Sequence, residues 1–382
     1  MAFLFRKTLI IFLLLARYGF CSEVCRCLKE VKGGFLIETI EGKVICAKNE
    51  KEFFTPASIL KILTALSALH YLGEGFRFKT EFYMGKNDLK IKAYGDPLLV
   101  SEIIDEITDE LSKRLPSVID DIIIDDSFFS EDIKIPGLGN SLNPYDAPVG
   151  AFCANFNTVY FKREKGKIVS AEPQTPIVPF VIDFIKRLPQ GRCVFSHNVR
   201  DLERYAGELF RYFLEKHGVK VKGEVRFGKI TDKDRIVYTY YSKFSLKEVI
   251  RKMMRYSNNF IANQIMLFLG ARLFGPPAEL KKGVMAIRRY ANEVLCIKGM
   301  KIFEGSGICR KNRVTCKQMA KILKAFFPYR SLMRKKGDVY YKTGTLKGIR
   351  TKAGYIGERY IFVIYLESGR VDLNCISEKL TH

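Results

Sequence analysis

The sequence predicts an α+β chain in which an antiparallel sheet is packed with helices and split by a mostly β inserted unit. Three observations predict it. Residues 339–346, 352–356 and 360–367 alternate apolar and polar positions as three strands, with Gly357-Glu358-Arg359 as the second turn. Residues 202–217, 246–273, 278–295 and 315–326 carry apolar residues at helical spacing. Between them and the start of the chain, residues 79–198 change to short strands and proline-broken loops. A length of 382 residues with 47% hydrophobic content is ample for a large core and fits two or three domains.

Taken in order, residues 34–40 and 43–48 read as a hairpin turned at Glu41-Gly42. The hairpin leads into a buried helix, because Pro56 suits a helix start and Ile59, Leu60, Ile62, Leu63, Leu66 and Leu69 follow at helical spacing. Residues 76–84 and 89–94 form a second hairpin, 101–115 an amphipathic helix and 119–125 a buried strand. A loop, Ile135-Pro136-Gly137-Leu138-Gly139, comes before strands at 155–163 and 167–171, and Pro173, Pro176 and Pro179 break up the chain beyond those strands. Residues 368–382 lack a convincing amphipathic helix.

The chemistry starts with Ser58 and Lys61, which stand one helical turn apart on one face. A serine hydroxyl is a poor nucleophile until a base takes its proton, and a neutral lysine is such a base. A free lysine has a pKa of about 10.4, so work near neutrality asks for a drop of roughly three units, about 4 kcal/mol. Burial and a second cation both push that way. Ser58 is the only serine with a lysine three residues on. Tyr256-Ser257-Asn258-Asn259, inside the predicted 246–273 helix, brings a hydroxyl and an amide close together. Lys342-Thr343-Gly344-Thr345 lies on a predicted strand, where Lys342 supplies the second cation and Gly344 lets a ligand backbone approach.

The ordered set Ser-x-x-Lys, Ser-x-Asn, Lys-Thr-Gly is the signature of penicillin-binding proteins and serine β-lactamases. Accessory stretches narrow the resemblance: Gly95-Asp96-Pro97, Ile124-Asp125-Asp126-Ser127-Phe128-Phe129, Tyr145-Asp146-Ala147-Pro148, and Gly305-Ser306-Gly307 ahead of Arg310-Lys311-Asn312. Over roughly residues 35–366 the chain resembles peptidase family S13, the D-alanyl-D-alanine carboxypeptidases and endopeptidases of the class C penicillin-binding protein type. The resemblance implies a serine β-lactamase/penicillin-binding-protein-like domain at residues 22–78 and 199–382, split by an inserted accessory unit at 79–198. About 196 residues separate Lys61 from Ser257, which leaves room for that unit.

The resemblance also implies roles. Ser58 is the nucleophile, Lys61 its base, Ser257 the proton carrier to the leaving group and Lys342 the source of positive potential. Asn259 holds the substrate amide, while Thr343, Thr345 and Arg310 receive its carboxylate beside Gly344, and the backbone N–H groups of Ser58 and Thr345 hold the oxyanion. The implied substrates are peptidoglycan stem peptides, with β-lactam antibiotics as covalent inhibitors and no cofactor. Asp125 and Asp126 are read either as turn caps or as contacts for an amine on the stem peptide. A β-lactamase of the same fold and a non-catalytic wall-binding scaffold are the rival readings. No Glu-x-x-Leu-Asn is present for class A deacylation.

Arg6 and Lys7 followed by the apolar run 8–16 read as a secretory leader ending at residue 21, so the chain is expected to be periplasmic. The formal charge is +23, three of it in that leader. Its lysines and arginines are scattered, so an acidic wall polymer or anionic membrane surface is the expected peripheral contact rather than nucleic acid. Oligomeric state is not legible. Ten cysteines in an exported chain allow disulfides without fixing their pairing. No Cys-x-x-Cys or His-Glu-x-x-His stretch suggests a metal site. Among four histidines, His70 stands twelve residues beyond Ser58, about 18 Å along a helix, which excludes it as the base.

Overall fold

A computed structural model describes residues 25–28, 32–368 and 373–381; the expected leader, residues 1–21, lies outside them. The described residues form two units. One gathers those up to Leu66 with Tyr290–Phe303 and those from Arg310 on, and the other comprises Ser67–Arg289 and Glu304–Cys309.

The first unit is built on a six-stranded antiparallel sheet. Its order across the sheet is Arg334–Lys336, Val339–Leu346, Ile349–Ile356, Tyr360–Ser368, Lys32–Thr39 and Val44–Lys48. The first described strand is thus stitched beside the last described one, with Phe35 opposite Ile364 and Ile37 opposite Phe362. Strand alternation puts these four side chains on one face, where they share a core with Leu28, Ile376 and Leu380. Ile376 and Leu380 belong to a helix, Leu373–Thr381, in the segment expected to hold none. Nine residues are too few for a periodic pattern to stand out. A disulfide between Cys27 and Cys375 supplies what composition does not, and Cys25–Cys46 ties down the same end of the sheet. Lys342, Gly344, Thr351 and Tyr355 alternate onto the opposite face. There helix Cys316–Phe326 packs, started by a Thr315/Gln318 capping box, and the Tyr355 hydroxyl donates to Leu323 O at 2.6 Å.

The second unit holds a mixed five-stranded sheet ordered Val225–Phe227, Ile122–Asp125, Asp88–Ala93, Lys79–Gly85 and Arg235–Tyr241. Strands from beyond residue 198 therefore complete a sheet that begins at Lys79. Helix Val199–Lys216 lies on this sheet, and the absence of a side chain at Gly207 lets it close on Val225 and Ile124. A smaller sheet joins Lys167–Ser170, Val159–Glu164 and Gly191–Cys193.

The single helix expected over 246–273 is two helices, Leu246–Tyr256 and Asn259–Phe274. The break is at Ser257, which adopts the left-handed conformation at φ 54° and ψ 35°. Asn258 then caps the second helix, its side-chain oxygen accepting the Ile261 N–H at 2.9 Å. Apolar spacing runs through both helices, so periodicity alone does not reveal the break. Among the described residues no helix is long and apolar enough to cross a membrane.

Candidate active site

Ser58 sits at a tightened chain turn. Ala57, fully buried, takes a left-handed φ of 47°, and Ala57–Leu60 forms a 3-10 turn before the helix Lys61–Leu72 begins. In a 3-10 turn residues i and i+3 eclipse, which aligns Ser58 with Lys61 more directly than an α-helical turn would. Ile59, Leu60, Ile62 and Leu63 around them are wholly buried and fix the turn by packing. The result is a 2.9 Å hydrogen bond between Lys61 Nζ and Ser58 Oγ, with Lys61 at 0% exposure. This is nucleophile-to-base distance.

Lys342 projects from strand Val339–Leu346 on the buried face. Its ammonium donates to Thr343 O at 2.6 Å. Burial, and secondarily the charge of Arg334, push its pKa down to about 7. The expected second cation thus titrates at neutrality. Two residues on, Gly344 lies where any side chain would collide: a Cβ there would stand 2.7 Å from the Ser58 backbone nitrogen and 2.4 Å from Thr351 Oγ1. Thr351 Oγ1 in turn donates to Pro56 O at 2.8 Å. Ser58, Lys61 and Gly344 are therefore brought together in one unit. Thr343 is half-buried and Thr345 exposed on the same strand. Arg310 donates its guanidinium to Lys347 O, while its own carbonyl accepts from Thr55 Oγ1 at 3.1 Å. It clips the loop after Thr345 to the segment leading into Ser58.

Ser257 and Asn259 belong to the second unit. Ser257 occupies the left-handed junction between two helices, and Asn259 opens the second of them. Asn259 Nδ2 donates to Tyr145 O at 3.3 Å, and one turn further Gln264 Nε2 donates to Gly150 O at 2.9 Å. Phe156, itself at a left-handed φ of 59°, meets Phe260 edge-on at 6.3 Å between ring centroids. The 145–156 segment so braces the start of the helix that carries Asn259.

The accessory stretches are structural in this unit. Asp125 pairs with Lys92 at 2.8 Å and accepts the N–H groups of Ile230 and Ser127, the turn-capping reading. Asp96 accepts the Leu98 N–H, and Asp146 accepts from Gly139 N and Ser141 Oγ. Gly305-Ser306-Gly307 folds around the buried carboxylate of Glu304, which accepts the N–H groups of Ser306 and Gly307. Thr351 and Glu304 carry no sequence signal of their own. Each works through a backbone group that no motif marks.

The D-Ala-D-Ala carboxypeptidase 3 (S13) family model matches residues 27–187 and 189–331. A D-alanyl-D-alanine carboxypeptidase DacB from Haemophilus influenzae is 24% identical, with 87% of this chain and 85% of the relative covered. A D-alanyl-D-alanine carboxypeptidase from an Actinomadura species is 23% identical over 85% of this chain and 75% of its own. In fold, the chain is similar to the crystal structure of penicillin binding protein 4 from Haemophilus influenzae, with a TM-score of 0.77, 21% identity and coverage of 94% and 98%. It is also similar, at a TM-score of 0.52, 17% identity and coverage of 88% and 86%, to a predatory peptidoglycan endopeptidase from Bdellovibrio bacteriovorus. The expected α+β penicillin-binding-protein fold is thereby borne out, and the chain belongs to the D-Ala-D-Ala carboxypeptidase 3 (S13) family.

Proposed function

We propose that the chain hydrolyses the peptide bond after a D-alanine in peptidoglycan stem peptides through an acyl-enzyme on Ser58. As a member of its family it is a serine-type D-Ala-D-Ala peptidase. The observation that carries the assignment to these residues is the 2.9 Å bond between Lys61 and Ser58.

In the first step neutral Lys61 takes the Ser58 proton as Oγ attacks the carbonyl carbon between the two terminal D-alanines. The backbone N–H groups of Ser58 and Thr345 receive the oxyanion. The C–N bond then breaks, and Ser257 relays to the departing amine the proton that Lys61 took up, so that Ser257 keeps its hydroxyl and Lys61 is neutral again. Water attacks the ester in the second step, restoring the Ser58 hydroxyl. Lys342 supplies positive potential, Asn259 holds the substrate amide, and Thr343, Thr345 and Arg310 receive the free carboxylate beside Gly344. The roles of Ser257 and Asn259 are supported by their motif and its order in the chain. If the scissile bond joins two stem peptides, the same steps are endopeptidase activity.

Family membership supports action at the cell wall. The finer reading is export with removal of residues 1–21 and residence in the periplasm, which the Cys25–Cys46 and Cys27–Cys375 disulfides support because such bonds persist in oxidising compartments. We assign the peptidase domain to 22–78 and 199–382 and the accessory unit to 79–198, whose sheet also recruits Val225–Phe227 and Arg235–Tyr241.

Intact-protein mass after incubation with a fluorescent penicillin, beside Ser58→Ala, tests the mechanism. A stable adduct on the unaltered chain alone is expected. An adduct on Ser58→Ala overturns the assignment of the nucleophile. No adduct with the drug destroyed makes the chain a β-lactamase, and no adduct with the drug intact makes it a non-catalytic binder.

A further inference from the structure

The second unit carries a cleft of about 560 Å³ that the peptidase chemistry does not use. Its wall is aromatic: Phe76, Phe128, Phe268, Tyr94 and Tyr241 line it. Phe268 forms a buried floor, with the rings of Phe76 and Phe128 at 5.2 and 5.7 Å from it, while Tyr241 at the mouth is 61% exposed. Three cations border these rings, Arg77, Lys79 and Arg272. Lys79 is spent within the protein, paired with Glu81 at 2.5 Å and lying 4.6 Å over the Tyr94 ring. Tyr94 is held as well, its hydroxyl donating to Glu81. Arg77 uses one of its five donors on Ser242 O at 2.8 Å. No carboxylate is among the residues that line the cleft, Glu81 being engaged behind Lys79 and Tyr94 and Glu248 lying within the field of Arg77, so two exposed guanidinium groups flank the aromatic surface.

A cleft of this size takes a ligand of one or two sugar rings or a small peptide. Rigid rings on the walls suit a partner with flat apolar faces, and the arginines select one that also bears a carboxylate, which a guanidinium binds bidentately. Resting on the cell-wall reading above, we propose that this cleft binds the glycan strand of peptidoglycan at muramyl residues that carry no stem peptide, stacking aminosugar faces on Tyr241, Phe76 and Phe128 and pairing the free lactyl carboxylate of such a residue with Arg272 and Arg77. The pyranose supplies the C–H faces, and its ether-linked acid supplies the charge. An acyl chain fits less well, because the mouth is bordered by charge and the rings leave the cleft open to solvent. The cleft makes a peptide-free muramyl residue a second point of attachment, beside the stem peptide carried elsewhere on the strand.

The test uses the full chain as Ser58→Ala, so that nothing turns over, titrated calorimetrically with peptide-free glycan strands. Arg272→Ala, Arg77→Ala/Arg272→Ala and Tyr241→Ala are compared with it, with thermal melting to confirm folding. At least tenfold weaker binding is expected for the double arginine variant and for Tyr241→Ala. Carboxyl-reduced strands should bind the unaltered cleft as weakly as intact strands bind the double variant. The same substitutions made with Ser58 present should leave penicillin acylation unchanged. Equal glycan binding by folded variants overturns the proposal. So does a variant effect confined to phosphatidylglycerol vesicles, which would make the cleft a lipid site. Cleft-dependent glycan binding by a chain that penicillin fails to acylate would refute the catalytic reading and leave this one standing.

Discussion

Gly344 presses its α-carbon against the backbone of Ser58: a methyl group added there would lie 2.7 Å from the Ser58 nitrogen and 2.8 Å from Ala57 Cβ. Strand and nucleophile turn are therefore in backbone contact, and that contact fixes one of the two proposed oxyanion donors. Gly344→Ala must push them apart. Overpacking of this kind costs about 1–3 kcal/mol, and displacing a reacting group by about 1 Å can cost roughly 100-fold in rate. The expected outcome is a lower melting temperature with penicillin acylation slowed at least tenfold; stopped-flow acylation at full rate would show that the contact is not part of the catalytic geometry.

The Ser58–Lys61 bond allows a sharper separation of chemistry from stability. Lys61 is at 0% exposure, so a methionine of similar length can occupy its place without opening a cavity. Lys61→Met is expected to fold and to melt within a few degrees of the parent. Loss of a general base costs roughly 100- to 10,000-fold. Single-turnover acylation by a fluorescent penicillin measures it, and a loss of less than tenfold would move the base to another residue.

Ser257 invites the opposite test. As a non-glycine residue in the left-handed region, at φ 54°, it carries strain that glycine would not, about 1 kcal/mol. Ser257→Gly keeps the junction between helices Leu246–Tyr256 and Asn259–Phe274 and removes the CH2OH side chain that carries the hydroxyl. Stability should hold or rise by about 1 kcal/mol in denaturant titration, while turnover of a D-alanyl-D-alanine peptide falls. Asn258→Ala should do the reverse, losing about 1 kcal/mol with its cap on Ile261 N–H. If Ser257→Gly turns over normally, the hydroxyl is not the proton carrier.

Local sequence rules reach only part of this chain. Ser58 and Lys61 lie within one turn, and Lys342 to Thr345 within one strand, so each is legible as a local motif, and it is the three motifs in order that single them out. The break at Ser257 was hidden because both flanking helices continue the same apolar pattern and no glycine or proline marks the bend. Arg235–Tyr241 pairing with Lys79–Gly85 joins segments more than 150 residues apart, which periodicity does not report. Helix Leu373–Thr381 depends on a bond from Cys375 to a cysteine 348 residues away. The charge on Lys342 depends on burial and on Arg334, two facts of packing rather than of motif.

That last dependence yields a pH prediction. Burial lowers the Lys342 pKa from 10.5 to about 7, so between those values the unfolded chain binds the proton that the folded chain has released. Stability contributed by this residue therefore rises with pH across that interval, and the penalty of holding the charge is fully present below about pH 7. Activity runs the other way if Lys342 acts as a cation. In the free enzyme kcat/KM should decline as pH rises through about 7, and because a bound substrate carboxylate favours the charged form, the corresponding limb in kcat should lie at higher pH. Lys342→Arg, charged throughout, should retain lower activity but lose the falling limb. A kcat/KM that instead increases through pH 7 in the parent and not in Lys342→Arg would mean that the neutral amine is the working form, making Lys342 a proton acceptor beside Lys61.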